Sequence, residues 1–260
     1  MCVLTVVRKD ASYLLTSLES LKVDLPTTPP NISVEVRVVD VSSDSHRDDI
    51  REAKLRHPNF IFEKLSNKSH ENCTELEMRS DSNRTDEPPC SVRQQTRDVL
   101  ATLAQCSVGV ADDGWVVLIE DDTETCPSAV ESIVIGLQAM NAYMLASPGA
   151  WRFACFSSYF SGAAFPTAAL PAFLSFAWAE LARAPVDYLA WAGWALGATF
   201  KHQGNLFRHV GRVSAFEYRN ADGFRREYDR YRFSAKQTDC AQYPLDYVRA
   251  AARYPRPRPR

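Results

Sequence analysis

Apolar and polar positions along the first half of the chain switch repeatedly between a strand period and a helix period. Residues 2–7 form a short β-branched run, which predicts a strand buried on both faces. Leu14, Leu15, Leu18 and Leu21 fall at helical spacing and predict an amphipathic helix over 11–22. From Val34 to Val41 the alternation returns and predicts a second strand. Residues 47–57 predict a helix that stops at His57-Pro58, because the residue before proline is turned away from helical geometry. Phe60 to Phe62 predicts a third strand, and the polar stretch 66–91 a loop. Val99, Leu100 and Leu103 share one face of a helix over 92–106. After a turn at Asp112-Asp113-Gly114, Trp115 to Ile119 is the clearest strand of all, and it stops at Glu120-Asp121-Asp122. Pro127 then opens a helix over about 127–140.

This β-α-β-α-β order predicts an α/β fold: a three-layer α/β/α arrangement around a mainly parallel, Rossmann-like sheet. Such sheets take ligands beyond the carboxyl ends of their strands, where the acidic triplet lies. The second half has another texture. It predicts a strand over 151–160, a helix over 168–183, a Trp-rich helix or hairpin over 185–200 and a strand-rich return over 205–218. Residues 153–179 carry no charge, but Gly162, Pro166 and Pro171 interrupt them, which favours a buried core segment over a membrane span. The tail over 249–260 alternates arginine with proline and reads as a solvated polyproline-like end. One domain over 1–248 is expected, with the acidic triplet closing its first half at 122 and the second half running over 123–248.

Composition narrows the classes. The 260 residues are 45% hydrophobic, too apolar for a disordered polymer, and the formal net charge of −2 argues against a dedicated nucleic-acid binder, which would need a large cationic face. The seven cysteines (Cys2, Cys73, Cys90, Cys106, Cys126, Cys155, Cys240) include no CxxC pair, so zinc-ribbon and thioredoxin-type sites fail on spacing. Cys73 and Cys90 bracket the polar loop and are a plausible bridge. Asn31, Asn67, Asn72 and Asn83 each open an N-x-S/T triplet, where eight asparagines would give roughly one by chance. Such a cluster points to a glycosylated surface facing the secretory lumen, the competing reading being coincidence in a Ser/Thr-rich loop. The first apolar run is too short for a signal peptide or anchor before Arg8-Lys9, so a luminal protein would need an anchor upstream.

Three adjacent carboxylates repel unless a cation offsets them. At a strand end alternate side chains point to opposite faces, so Glu120 and Asp122 are expected to share one side and suit Mn2+ or Mg2+, held jointly with substrate phosphates. A solvated acidic turn ahead of a helix is the simpler alternative. A phosphorelay receiver domain is rejected, since residues 123–186 contain no aspartate to accept a phosphoryl group.

Several further segments accompany the triplet: Tyr13 to Leu21, Arg93-Gln94-Gln95, Val117 to Asp122, Trp151 to Ser157, Pro185 to Leu189, and Leu206 to Gly211. In this order they resemble the catalytic domain of the N-acetylglucosaminyltransferase IV family, which adds β1,4-linked GlcNAc to N-glycan mannose. The resemblance spans about residues 2–217. It implies a GT-A fold, a UDP-sugar donor such as UDP-GlcNAc, a glycan or glycoprotein acceptor, and a Golgi-lumen enzyme attached to the membrane only through an anchor. It also implies that Asp122, with Glu120 and His209, forms the metal centre, and that Asp121, Arg8, Arg93 and Gln94 meet the donor. Asp187 matches the catalytic base, and Ser161 with Gly162 matches an acceptor-side turn. Each has an ordinary alternative: a packed histidine for His209, an N-terminal helix cap for Asp187, surface positions for the arginines, and plain core for Trp191 and Trp194.

The implied chemistry is inverting displacement, with Asp187 taking the acceptor proton and the metal stabilising the departing UDP. Bridged by one ion, Asp122 and His209 should approach within about 4–5 Å. The polar loop and the Ala-rich stretch 162–184 depart from the family, whose carboxyl-terminal sugar-binding module has no counterpart in the sequence. Two alternatives therefore stand beside the main reading: a GPI-glycan-modifying transferase, and a glycosyltransferase-like domain that binds glycans or partners without turnover.

Overall fold

The computed structural model describes residues 1–6, 12–27, 30–42, 47–65, 90–146, 152–157, 160–195, 199–201, 205–210 and 240. Arg8, Asn67, Asn72, Asn83, Cys73 and the Arg/Pro tail lie outside the described residues. The chain runs β1 (Cys2–Thr5), α1 (Leu14–Asp24), β2 (Arg37–Asp40), α2 (Asp48–Arg56), β3 (Ile61–Lys64), α3 (Cys90–Ser107) and β4 (Trp115–Glu120). It continues through β5 (Thr123–Thr125), α4 (Ala129–Ala146), β6 (Phe153–Cys155), β7 (Ala163–Pro166), α5 (Leu170–Ala179), α6 (Val186–Tyr188), a wide helical turn over Leu189–Trp194, β8 (Thr199–Lys201) and β9 (Phe207–His209).

Seven strands form one mixed, mostly parallel sheet in the order β3-β2-β1-β4-β7-β6-β8. β1 pairs in parallel with β2 and with β4, and all four of its residues are buried. A strand covered on both faces has no solvent side, so its apolar run shows no alternation. β7 is the exception to the expected parallel order: it runs antiparallel to both β4 and β6. The strand expected over 151–160 keeps only three residues, and the chain then turns back through Ser161-Gly162 into β7.

Two apolar layers enclose the sheet. Leu14, Leu18 and Leu21 of α1, Ala53 of α2 and Val130, Ile133 and Met140 of α4 pack with Val3, Val38, Val117 and Ile119. On the opposite face Leu100 and Leu103 of α3, Phe173 of α5 and Val186 of α6 pack with Leu4, Val39, Leu118, Phe153 and Phe165. Successive strand residues alternate between the two clusters, as the pleat requires. Hence the molecule is a three-layer α/β/α assembly.

Helix ends are tied across elements. Asp24, buried at the end of α1, accepts the backbone N–H groups of Ser128 and Val130 at 2.6 Å each, and so caps α4 from outside its own segment. Disulfides join Cys2 of β1 to Cys106 of α3, and Cys126 to Cys240. Cys90 is also disulfide-bonded, whereas Cys155 is buried and keeps its thiol. The charge-free stretch 153–179 divides into β6, β7 and α5, and no helix among the described residues is long and apolar enough to cross a membrane.

Candidate active site

Parallel pairing lines up the carboxyl ends of the strands. Thr5 stands opposite Asp40, and Asp40 opposite Lys64, so the last residues of β1, β2 and β3 form one row. β4 ends beside them, with Glu120 opposite Leu4. The acidic triplet thus sits at the edge of the parallel half of the sheet.

The three acids have different surroundings, and the strand alternation expected to pair Glu120 with Asp122 does not reach that far. The chain leaves the sheet after Glu120, held by a bond from the Thr123 hydroxyl to the Glu120 carbonyl at 2.7 Å. Asp121 turns inward and is 2% exposed. Its Oδ2 accepts the Thr5 hydroxyl at 2.6 Å and the Val6 N–H at 3.2 Å, while its own N–H bonds Leu4 O. Asp122 stays near the surface, and its carbonyl accepts the Val210 N–H at 2.9 Å.

A two-stranded sheet brings His209 to it. β5 and β9 pair antiparallel, with Thr123 opposite His209, and Arg208 forms an ion pair with Glu124. His209 Nε2 lies 3.2 Å from Asp122 Oδ2, both side chains keeping some exposure (12% and 16%). The contact is direct and shorter than the bridged spacing expected. It is also close to the roughly 3 Å that separates two ligand atoms at right angles about an ion with bonds of about 2.1 Å. The Asp122 carboxylate suits a hard divalent cation and the His209 imidazole is its weaker partner, while half-buried Glu120 does not join them in a three-ligand group. Among the described residues no three His, Cys, Asp or Glu side chains gather into a protein-only metal cage. Mg2+-type ions commonly take one or two carboxylates and complete their shell with water and substrate phosphates.

Ser161 and Gly162 lie beneath the acidic turn. Ser161 is fully buried; its hydroxyl accepts the Glu120 N–H at 3.2 Å and meets the Thr123 hydroxyl at 3.2 Å. Gly162 adopts φ +82°, and a side chain there would meet the Phe207 ring at 2.8 Å. The close backbone approach at this glycine is to an aromatic core residue of β9.

Asp187 lies in the first turn of α6, half-buried, with α6 packed against α3. Burial pushes its carboxyl above the ordinary aspartate value, against weaker stabilisation from the backbone N–H groups of Tyr188 and Asp187. The residue at the cap position itself is Pro185, which has no polar side chain to cap with. Arg93 and Gln94 occupy the first turn of α3, both half-buried, with the Gln94 amide donating to Asp98 at 2.9 Å. The apolar faces of Trp191 and Trp194 are spent internally, against Phe153 at 5.7 Å and Phe173 at 6.1 Å. Asn31 is exposed in a turn ahead of β2.

One cluster escaped the sequence reading. Arg47, its side chain 6% exposed, bonds Asp40 Oδ1 at 3.1 Å, both carboxylate oxygens of Asp49 at 3.0 and 2.6 Å, and the Thr5 hydroxyl at 3.1 Å. Burial alone would lower the Arg47 pKa, but the hydrogen bonds and charges of Asp49 and then Asp40 outweigh it, and the net direction is upward. For Asp49 burial acts upward instead, yet Arg47, Ser12 and the Ile50 N–H hold it below the ordinary value. In the sequence, Arg47 and Asp49 fall only within the helix expected over 47–57, and Asp40 near the end of the second strand. Comparison of the sequence with models of protein families and with curated proteins gives no match.

Proposed function

We propose that this chain is a metal-dependent glycosyltransferase of GT-A type that transfers a sugar, GlcNAc in the first instance, from a UDP-sugar to a glycan acceptor with inversion. The observation that carries the reading is the meeting of Asp122 and His209 at the carboxyl edge of the parallel strands. These two residues come from distant parts of the chain, and a separate two-stranded sheet serves to join them. The mostly parallel order through β1 and β4 supports the same reading, because such sheets bind nucleotides at this edge.

The chemistry assigns work to few groups. A bound Mn2+ or Mg2+, held by Asp122 and His209, would supply Lewis-acid stabilisation to the diphosphate. Asp187 accepts the proton of the acceptor hydroxyl, whose oxygen bonds the anomeric carbon while the bond to the UDP oxygen breaks and its electron pair leaves with UDP. A carboxylate raised by burial is a stronger base than a free one, which suits this role. The disulfides at Cys2, Cys90 and Cys126 support an oxidising compartment, in keeping with a Golgi-lumen enzyme.

The test is release of UDP from a panel of UDP-sugars, with and without a glycan acceptor. Turnover with Mn2+ and its loss on chelation are expected. Donor cleavage that ignores EDTA would remove the metal from the reading, and no uridine-nucleotide binding at all would remove the function.

A further inference from the structure

The acidic triplet is sorted by a chain of donors that begins two elements away. Arg47 carries only donors, so the Thr5 oxygen that faces Arg47 Nη2 at 3.1 Å can only accept there. The Thr5 proton is thereby committed to Asp121 Oδ2, at the short separation of 2.6 Å expected for a hydroxyl on a carboxylate. Arg47 is itself fixed on three elements: by Asp40 at the end of β2, by the two-pronged bond to Asp49 in the first turn of α2, and by Thr5 at the end of β1. The Val6 N–H adds a second donor to Asp121 Oδ2, and the bond from the Asp121 N–H to Leu4 O holds its backbone.

The electrostatic consequence concerns Asp122. An aspartate released from this chain would turn its charge outward beside Glu120 and Asp122, and like charges at contact oppose one another. With Asp121 sequestered, the next residue is free to turn the other way, toward His209. We propose that Arg47 and Thr5 are positioning residues for the acidic turn: through Asp121 they set the direction in which Asp122 meets a divalent cation. The proposal rests on the metal-dependent reading above and extends it to two residues that touch neither cation nor substrate.

Cation binding itself is the readout, followed by loss of the free Mn2+ electron-spin resonance signal on titration into the full chain, with near-ultraviolet circular dichroism as the folding control. Thr5→Val keeps the branched shape and removes the hydroxyl; acting through Asp121 on the neighbouring ligand, it should weaken Mn2+ binding by about 10-fold, the low end for direct partners of metal ligands. Thr5→Ser returns the hydroxyl and should restore affinity to within about threefold. Arg47→Met should weaken binding to a similar extent with Arg47→Lys in between, and Thr5→Val carries the test if Arg47→Met fails to fold. Native-like affinity in folded Thr5→Val overturns the positioning role while leaving the metal centre standing. A Thr5→Ser protein as weak as Thr5→Val overturns it too, by assigning the effect to packing. A native chain that binds no Mn2+ even with UDP present overturns both readings together.

Discussion

Asp187 is the residue whose environment and proposed work agree most closely. A carboxylate in the first turn of a helix ordinarily gains from the helix dipole and caps an N–H, both of which lower its pKa. Here burial outweighs the hydrogen bonds from the backbone N–H groups of Tyr188 and Asp187, so the group is raised. A raised aspartate has a defined effect on rate: the basic form is populated only above the elevated pKa, so transfer should climb with pH through a limb above the ordinary value of 3.8. Its effect on stability has the opposite sense, since stability tied to this group is lost as pH rises through the same interval. Asp187→Asn should lower the transfer rate about 100- to 10,000-fold and leave UDP affinity unchanged. Steady-state rates together with UDP titration calorimetry check this; an unaltered transfer rate would exclude Asp187 as the base. The chemical type of this residue was legible in the sequence. Its raised pKa was not, because that depends on α6 lying against α3.

Among the elements, expectation and structure agree where the apolar period is long and the face well marked. α1, α3 and β4 fall within a few residues of expectation, and their core positions are those the spacing names: Leu14, Leu18, Leu21, Val99, Leu100 and Leu103. They part at short, small-residue strands. β7 is Ala-Ala-Phe-Pro, without β-branched residues or alternation, yet it occupies the middle of the sheet. β5 and β8 have three residues each, too short for any period to declare itself, and β8 emerges from a stretch expected to be helix or hairpin. The site inherits this difference. Asp122 was legible as the end of a strong strand, whereas its contact with His209 depends on the small sheet that β5 makes with β9. The turn before β7 offers a test of that dependence. Gly162 has φ +82°, and an added methyl would press on fully buried Phe207, two residues from His209. Gly162→Ala should therefore destabilise the protein by about 1–3 kcal/mol, combining the backbone conformation with overpacking. Thermal unfolding should show a Tm lower by about 2–12 °C, and an unchanged Tm would mean that β9 yields at little cost.

The whole molecule is held from both faces of the sheet, by two apolar layers and by a disulfide that fastens the central strand β1 to α3. Its dependence on pH is set by groups enclosed without adequate partners, and His57 is the clearest among the described residues. The ring is 2% exposed, stacks on Phe60 at 5.1 Å, and neither ring nitrogen has a hydrogen-bond partner. Its cover is shallow: the nearest acid, Glu19 Oε2 at 3.7 Å from Nε2, and the bases Lys22 and Arg56 all have about half of their side chains exposed. Burial is the main cause that lowers the His57 pKa from 6.5; the Glu19 charge opposes it, and those of Lys22 and Arg56 add to it. The unfolded chain therefore takes up a proton as pH falls through about 6.5, while the folded chain does not until the lower value is reached. The contribution of His57 is fully present above pH 6.5 and declines on acidification, by about 1.4 kcal/mol for every pH unit between the two values, then levels off. His57→Phe keeps a flat ring against Phe60 and removes the titration. Denaturant unfolding of the two proteins at pH 7.5, 6.5 and 5.5 should give a difference that grows in favour of His57→Phe as pH falls. A constant difference across that range would mean that the native ring finds room for its proton in the folded state.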